Sequence, residues 1–303
     1  MRHPTQAATG SPASVPRHPG EIHEDRQHRR PPVTGDRTEY RRRRQQGQRR
    51  RLRRDPQSIY ERWDEFTTWA ATAELSESIE FAPADLQAPV PTPRQIFAIG
   101  LNYRDHADES GFTVPEAPTV FTKFVSSVTG PNTTVTLPAD GNTDWEVELV
   151  AVVGRTAHDV SEAEAWSHVA GLTVGQDLSE RKAQFVGPVP QFSLGKSFPG
   201  FSPTGPWVVT LDEVDDPADL ELGCAINGEQ MQLGRTRDLV FSVPSLIAKL
   251  SAIVTLLPGD LIFTGTPAGV GVGRDPKVFL QPGDTLVSWV DGIGTLTQTM
   301  TRA

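Results

Sequence analysis

The sequence predicts a mainly β protein with a few helices, an α+β fold, and three observations carry that expectation. Glycine and proline occur 26 times each, a density of chain-breaking residues that suits short strands joined by turns. Helix-type periodicity is confined to a few stretches, whereas extended runs bounded by turn signals recur from about residue 88 onward. Two of those runs, "LIFTG" and "TLVSWV", each follow a "PGD" turn, at 258–260 and 282–284.

Taken in order, residues 1–54 stand apart. They hold 15 Arg, no Lys, 5 acidic and nine hydrophobic residues, while the remainder has 14 basic and 33 acidic residues. So little apolar surface cannot offset the entropy of ordering, so a disordered tail is expected. A basic arm for nucleic acid is one reading of it. Arg without Lys is also what GC-rich DNA yields when read out of frame or from a start placed too early. We therefore expect an inert or non-native tail and no nucleic-acid partner. Residues 55–87 form a helical lead-in, the remnant of an N-terminal region. In "DPQSIYERWDEFTTWAATAEL", Ile59, Trp63, Phe66 and Trp69 recur at spacings of three and four, with Asp55 as N-cap.

The catalytic-sized domain is expected from 88 to 303. After the Pro-rich "APVPTPRQ" comes the strand "IFAIG", then a short helix in "GLNYRDHADESG" closed by Gly111. Further helices are expected in "SEAEAWSHVAG", with Ser161 and Glu164 as a capping box, and in "SVPSLIAKLSAIV". The Asn-Gly pair of "CAINGEQM" marks a hairpin. A single cysteine, Cys224, excludes an intrachain disulfide framework and a thiolate-clustered zinc site, and suits a reducing cytosol. No run approaches the roughly 18 apolar residues of a membrane span, and the N-terminus has no apolar signal core. A cytoplasmic protein without membrane association is expected.

Chemistry concentrates in a few places. In "TDWEVELVAVVG", Glu146 and Glu148 lie on one strand face that continues as Val150 and Val152, while Trp145, Val147, Leu149, Ala151 and Val153 form the other. Two adjacent carboxylates at the rim of a core repel each other and resist desolvation. A divalent cation would relieve both penalties, and an all-oxygen donor set favours Mg²⁺, Mn²⁺ or Ca²⁺ over Zn²⁺. "VGQDLSERKAQ" offers a third oxygen ligand in Asp177, and a helical turn after it would put Arg181 and Gln184 on the same face. "SLGKSFPGF" supplies Lys196, and "GLNYRDHADESG" an i,i+3 pair, His106 and Glu109, suited to water activation. Each motif also has a plainer local reading: a solvated strand face, a helix N-cap, a surface lysine, a surface helix. "TGTPAGVGVG" is followed by neither Lys-Ser/Thr nor a helix, which argues against a phosphate loop, and Rossmann readings fail likewise.

Together, "IFAIGLNYRDHADE", "PTVFTKFVSSVTGP", "WEVELVAVVG", "GLTVGQDLSERKAQ", "LGKSFPGFSPTGPWVV", "INGEQMQ" and "LLPGDLIFTGTPAGVG" resemble, in order, the fumarylacetoacetate hydrolase family over about 88–303. The resemblance implies a mixed β-roll or β-sandwich around a Mg²⁺ or Mn²⁺ site, usually in a homodimer. It implies metal ligation by Glu146, Glu148 and Asp177. It implies substrate binding by Arg181, Gln184 and Thr266, and catalysis by His106, Glu109 and Lys196, with the His–Glu pair on a lid. The implied activity is metal-dependent chemistry on 2-oxo or 2,4-dioxo carboxylic acids through a metal-bound enolate. Hydrolytic C–C cleavage of an acylpyruvate comes first, and isomerisation or decarboxylation of oxo-dicarboxylic acids from aromatic catabolism is the alternative. Two departures are visible: the Arg-rich tail stands where members often carry a small β-rich domain, and no additional acidic ligand precedes His106, a place left to water.

Overall fold

The computed structural model describes residues 14–16, 56–74, 78–109 and 115–303. Within the Arg-rich tail this is one short strand, β1 (Ser14–Pro16), antiparallel to β2 (Ser78–Glu80). Pro16 biases Val15 toward the extended backbone that such pairing needs. The rest of the disordered-tail expectation, the Asp55 cap and Gly111 lie outside the described residues.

The remaining strands are β3 (Ile96–Gly100), β4 (Thr119–Thr122), β5 (Val128–Thr129), β6 (Asn132–Leu137), β7 (Thr143–Asp144), β8 (Val147–Val153), β9 (Val169–Gln176) and β10 (Ser179–Glu180). They continue with β11 (Ser202–Val209), β12 (Glu221–Ile226), β13 (Glu229–Arg235), β14 (Leu261–Phe263), β15 (Thr285–Val290) and β16 (Gly294–Arg302). Six short α-helices are described: α1 (Trp63–Ala70), α2 (Arg104–Glu109), α3 (Glu162–Ala165), α4 (Arg181–Gln184), α5 (Phe192–Gly195) and α6 (Val243–Ser251). The expected mainly β class is therefore observed.

Two mixed sheets make the body. One runs β4-β3-β14-β8-β9-β11-β5, the other β13-β12-β15-β16-β6. Between them lies the larger core, to which Trp145, Val147, Leu149, Ala151 and Val153 contribute one face of β8. The other face, with Val150 and Val152, packs with Ala98, Phe121, Leu261 and Phe263 in a second core. All seven residues of β8 are buried, as both-face burial of a central strand requires. The Asn-Gly hairpin joins β12 to β13, with Asn227 and Gly228 both at positive φ (51° and 86°), the geometry that such a two-residue turn demands.

The lead-in departs from a single helix. Pro56–Arg62 is a 3₁₀ segment, and α1 begins only at Trp63. A 3₁₀ turn superposes residues three apart, which stacks Tyr60 on Trp63 with centroids 5.7 Å apart. Both join the second core beside Val90, Ile96 and Val152, and the Tyr60 hydroxyl donates to the Pro89 carbonyl at 3.2 Å. The lead-in thus covers the outer face of the large sheet. Trp63→Ala should cost about 3–5 kcal/mol of stability by the usual large-to-small scale. Urea unfolding would check this, and a change within about 0.5 kcal/mol, the range of surface substitutions, would contradict the packing role.

In "SEAEAWSHVAG" the Glu164 carboxylate accepts from the Ser161 backbone N–H and, at 2.7 Å, from its hydroxyl, whereas Ser161 makes no side-chain cap to the helix backbone, so half of the expected capping box is formed. Ser242, by contrast, caps α6 by accepting from the Ser245 N–H.

Candidate metal centre and active site

Sheet register brings the site together. β3 and β14 are parallel, β8 is antiparallel to β14, and β9 is antiparallel to β8. The C-terminal ends of β3, β14 and β9 therefore meet the N-terminal end of β8 at one edge. Beyond β3 the chain enters α2 with His106, and beyond β14 it passes Gly265 and Thr266. Glu146 immediately precedes β8 and Glu148 is its second residue, and Asp177 follows β9, where its N–H donates to the Glu146 carbonyl at 2.9 Å. Opposite Glu148 in the ladder stands Gly175. A Cβ there would come within 2.5 Å of Val150 Cγ2 and 2.7 Å of the Phe263 ring, so only glycine leaves this face room.

Carboxylate oxygens of Glu146, Glu148 and Asp177 lie within 4.8 Å of one another, and all three residues are buried. Their surroundings differ. Arg181 Nη2 donates to Glu146 Oε1 at 2.7 Å, and Lys196 Nζ donates to Glu146 Oε2 at 2.5 Å. Burial opposes the charge of Glu146, but Lys196 and Arg181 outweigh it and hold the carboxyl below its usual range. Asp177 accepts from Lys196 Nζ at 2.7 Å through one oxygen and from the Lys123 ammonium through the other. Glu148 accepts the Gly265 N–H at 2.7 Å, and no described cation pairs with it. Burial, then Asp177 and Glu146, push its pKa well above the ordinary carboxylate value.

This is the donor chemistry of a hard divalent cation. Three clustered carboxylates supply oxygen ligands, and the one without a countercharge is Glu148. The three residues fit a Mg²⁺ or Mn²⁺ ion, and the extra charge would remove the penalty that burial and like charge place on Glu148.

A cavity of about 450 Å³ reaches the cluster at Glu146 and is lined also by His106, Arg181, Gln184, Lys196 and Thr266 among others. Arg181 Nη1 donates to Gln184 Oε1 at 2.8 Å, which leaves the Gln184 amide nitrogen to donate elsewhere. Lys196 is buried over the Phe121 ring at 5.0 Å. Burial disfavours its charge, yet Asp177 and Glu146 prevail and raise its pKa. The Thr266 hydroxyl donates to the Val147 carbonyl and accepts from Gln232 Nε2, each at 2.8 Å. A substrate contact by this hydroxyl requires an exchange of partners. His106 is buried at the cavity wall. Glu109 ends α2, and its side chain lies outside what is described, so the His–Glu pairing is left to experiment.

Three residues that no sequence motif singles out complete the site. Asp144, fully buried, accepts from the N–H groups of Trp145, Gly271 and Val272 at 2.7–2.9 Å and from Arg181 Nε at 2.9 Å. It fixes the Arg181 guanidinium. Lys123, fully buried, contacts both Asp177 and the Lys196 carbonyl. Gln232 accepts from the Val147 N–H and supports Thr266. The local signal for Lys123 is a lone lysine between two phenylalanines in "VFTKFV".

A family model described as fumarylacetoacetate (FAA) hydrolase C-terminal matches residues 95–301. A crystal structure from Mycobacterium smegmatis, assigned provisionally as an HpcE protein, is 56% identical and has a TM-score of 0.80, covering 85% of this chain and 92% of that one. Human mitochondrial oxaloacetate tautomerase FAHD2A is 44% identical over 210 residues, 69% of this chain and 67% of its own. The fumarylpyruvate hydrolase of Pseudomonas aeruginosa, crystallised with Mn²⁺ and pyruvate, is 30% identical with a TM-score of 0.63, covering 70% and 91%. Among the described residues no helix is long and apolar enough to cross a membrane.

Proposed function

The chain belongs to the fumarylacetoacetate hydrolase family, and on that premise we propose a divalent-metal-dependent hydrolase that splits a carbon–carbon bond of an acylpyruvate-type 2,4-dioxo acid. The observation that carries this reading is the buried triad Glu146, Glu148 and Asp177, of which Glu146 lines a cavity that also bears Arg181 and Lys196. When bound there, Mg²⁺ or Mn²⁺ would supply Lewis-acid polarisation of the substrate's 2-oxo group.

The chain's own residues do the rest. Arg181, clamped by Asp144, Glu146 and Gln184 through all three of its nitrogens, offers the substrate carboxylate its remaining Nη1–H and its charge, with Thr266 beside it. A ring nitrogen of His106, oriented by Glu109, takes a proton from water, and the resulting hydroxide adds to the distal carbonyl carbon. The bond between that carbon and C3 breaks, leaving a carboxylic acid and the enolate of pyruvate. The Lys196 ammonium faces this developing charge. Return of the proton from His106 to C3 gives pyruvate. A homodimer, as the resemblance implies, and a cytoplasmic location, as the single cysteine suits, belong to this reading.

A second reading shares every residue but the water: isomerisation, tautomerisation or decarboxylation of an oxo-dicarboxylic acid, favoured by the 44% identity to an oxaloacetate tautomerase. A panel of acylpyruvates, oxaloacetate and 2-hydroxy-diene-dioates, assayed with Mg²⁺, separates the two. Pyruvate release from an acylpyruvate is expected, slowed about 10²–10⁴-fold in His106→Asn. No pyruvate from any acylpyruvate, with turnover of oxaloacetate or a dienoate, would replace the first reading by the second.

A further inference from the structure

Lys123 lies behind the centre rather than in the cavity. Its side chain is fully buried over the Phe263 ring and is not among the groups that line the cavity. Its ammonium donates to Asp177 Oδ1 and to the Lys196 carbonyl, while the Lys196 ammonium takes Asp177 Oδ2 at 2.7 Å. The backbone on either side is stitched to the same stretch. The Thr122 N–H donates to Ser193 Oγ at 3.2 Å and the Phe124 N–H to Ser197 Oγ at 3.0 Å. The end of β4 and the segment carrying Lys196 therefore keep one register.

Four buried carboxylates meet here, Asp144, Glu146, Glu148 and Asp177, and the buried cations in contact with them are Lys123, Arg181 and Lys196. Both oxygens of Glu146 and both of Asp177 accept from one of these cations. A divalent ion would have to share those oxygens, and its two charges would leave the centre with a formal excess of one positive charge. Buried at such short range, an unbalanced unit charge is costly. An anion in the cavity removes the excess.

We propose that Lys123 is a positioning residue that ties cation binding to anion binding. Acting through Asp177, it holds down the affinity for a divalent ion until an anionic oxo acid occupies the cavity. This rests on the metal-dependent oxo-acid reading above and adds a condition for loading the centre. Arg181 and Lys196 line the cavity and face the ligand, whereas Lys123 acts on it only through Asp177 and the Lys196 backbone.

The test counts free Mn²⁺ by its paramagnetic resonance signal over the full chain, with and without oxalate, a dianion the size of an oxo-acid head, against protein-free controls. The wild type should hold Mn²⁺ about tenfold more tightly with oxalate, within the usual range of coupling between sites. Chelation by oxalate adds to that factor in every variant, so the role of Lys123 is read from Lys123→Met and Lys123→Gln. Both should bind Mn²⁺ alone about tenfold more tightly than the wild type and gain less from oxalate. Lys123→Gln keeps a donor for Asp177 and serves if Lys123→Met does not fold. A residue that merely supports the fold would give the opposite sign. Weaker Mn²⁺ binding in the variants, or an unchanged gain from oxalate, overturns the assignment and leaves the metal reading standing. Equal Mn²⁺ affinity of the wild type with and without oxalate overturns it without any variant. If the wild type binds no Mn²⁺ under either condition, the metal reading fails and the role of Lys123 falls with it.

Discussion

Glu148→Gln should abolish divalent-cation binding and, in chelator, make the protein more stable than the wild type. The two effects have one cause. Glu148 is buried beside two other carboxylates, and no described cation pairs with it. Its charge is useful only to a cation. Glutamine keeps the shape and still accepts from the Gly265 N–H, but it removes a ligand and a negative charge. Loss of outer contacts to metal ligands already costs 10–100-fold in affinity, so loss of a ligand should exceed about 100-fold. Relief of the buried charge should add about 1–3 kcal/mol. The sign with pH follows. The folded-state pKa lies above the ordinary value of 4.5, so above pH 4.5 the folded chain retains a proton that the unfolded chain has released. Stability from this group is fully present below that pH and is lost as pH rises through the folded value. Chelator-treated wild type should show this slope, and Glu148→Gln should lack it. A variant that is less stable than wild type in chelator at neutral pH would contradict the account.

Asp144→Asn should be the most damaging single-atom exchange at the site. Each Asp144 oxygen accepts two hydrogen bonds, three of the four from backbone N–H groups and the fourth from Arg181. An amide nitrogen at either position would face donors, and the buried Arg181 would lose a countercharge. Breaking one side of a buried pair costs about 3–5 kcal/mol, on the order of 10 °C in Tm for a domain of this size. Because Asp144 also fixes Arg181 at the cavity wall, substrate affinity should fall with stability. Differential scanning calorimetry checks it. A Tm within about 2 °C of wild type would show that Asp144 does not hold Arg181.

Much of this site is legible in the amino-acid sequence. The acidic pair at the head of an otherwise doubly buried strand points to an ion, and Arg181 and Gln184 share the helical turn α4. These signals are local, because alternation and helical spacing fix which side chains share a face. Asp177 is not on that turn, because β10 (Ser179–Glu180) intervenes, and the end of β9 brings it to them. What stays hidden is long-range. No sequence motif singles out Asp144, because its role depends on backbone from 271 and 272. Lys123 reaches Asp177 across the sheet face, over the Phe263 ring at 6.0 Å, a path set by β4 pairing with β3. The 55–87 segment reads as a helix remnant whose periodicity singles out Trp63, yet Tyr60, off that apolar stripe, stacks on Trp63 and joins the second core with it.

The central claim is that Glu146, Glu148 and Asp177 hold one divalent cation. Crystals of the full chain soaked in Mn²⁺ and measured at the manganese absorption edge test it most directly. The account predicts one anomalous peak per chain, about 2.0–2.6 Å from an oxygen of each of the three carboxylates, the range of hard divalent cations on oxygen. A saturated crystal with no peak there, or with manganese bound only elsewhere, would contradict it.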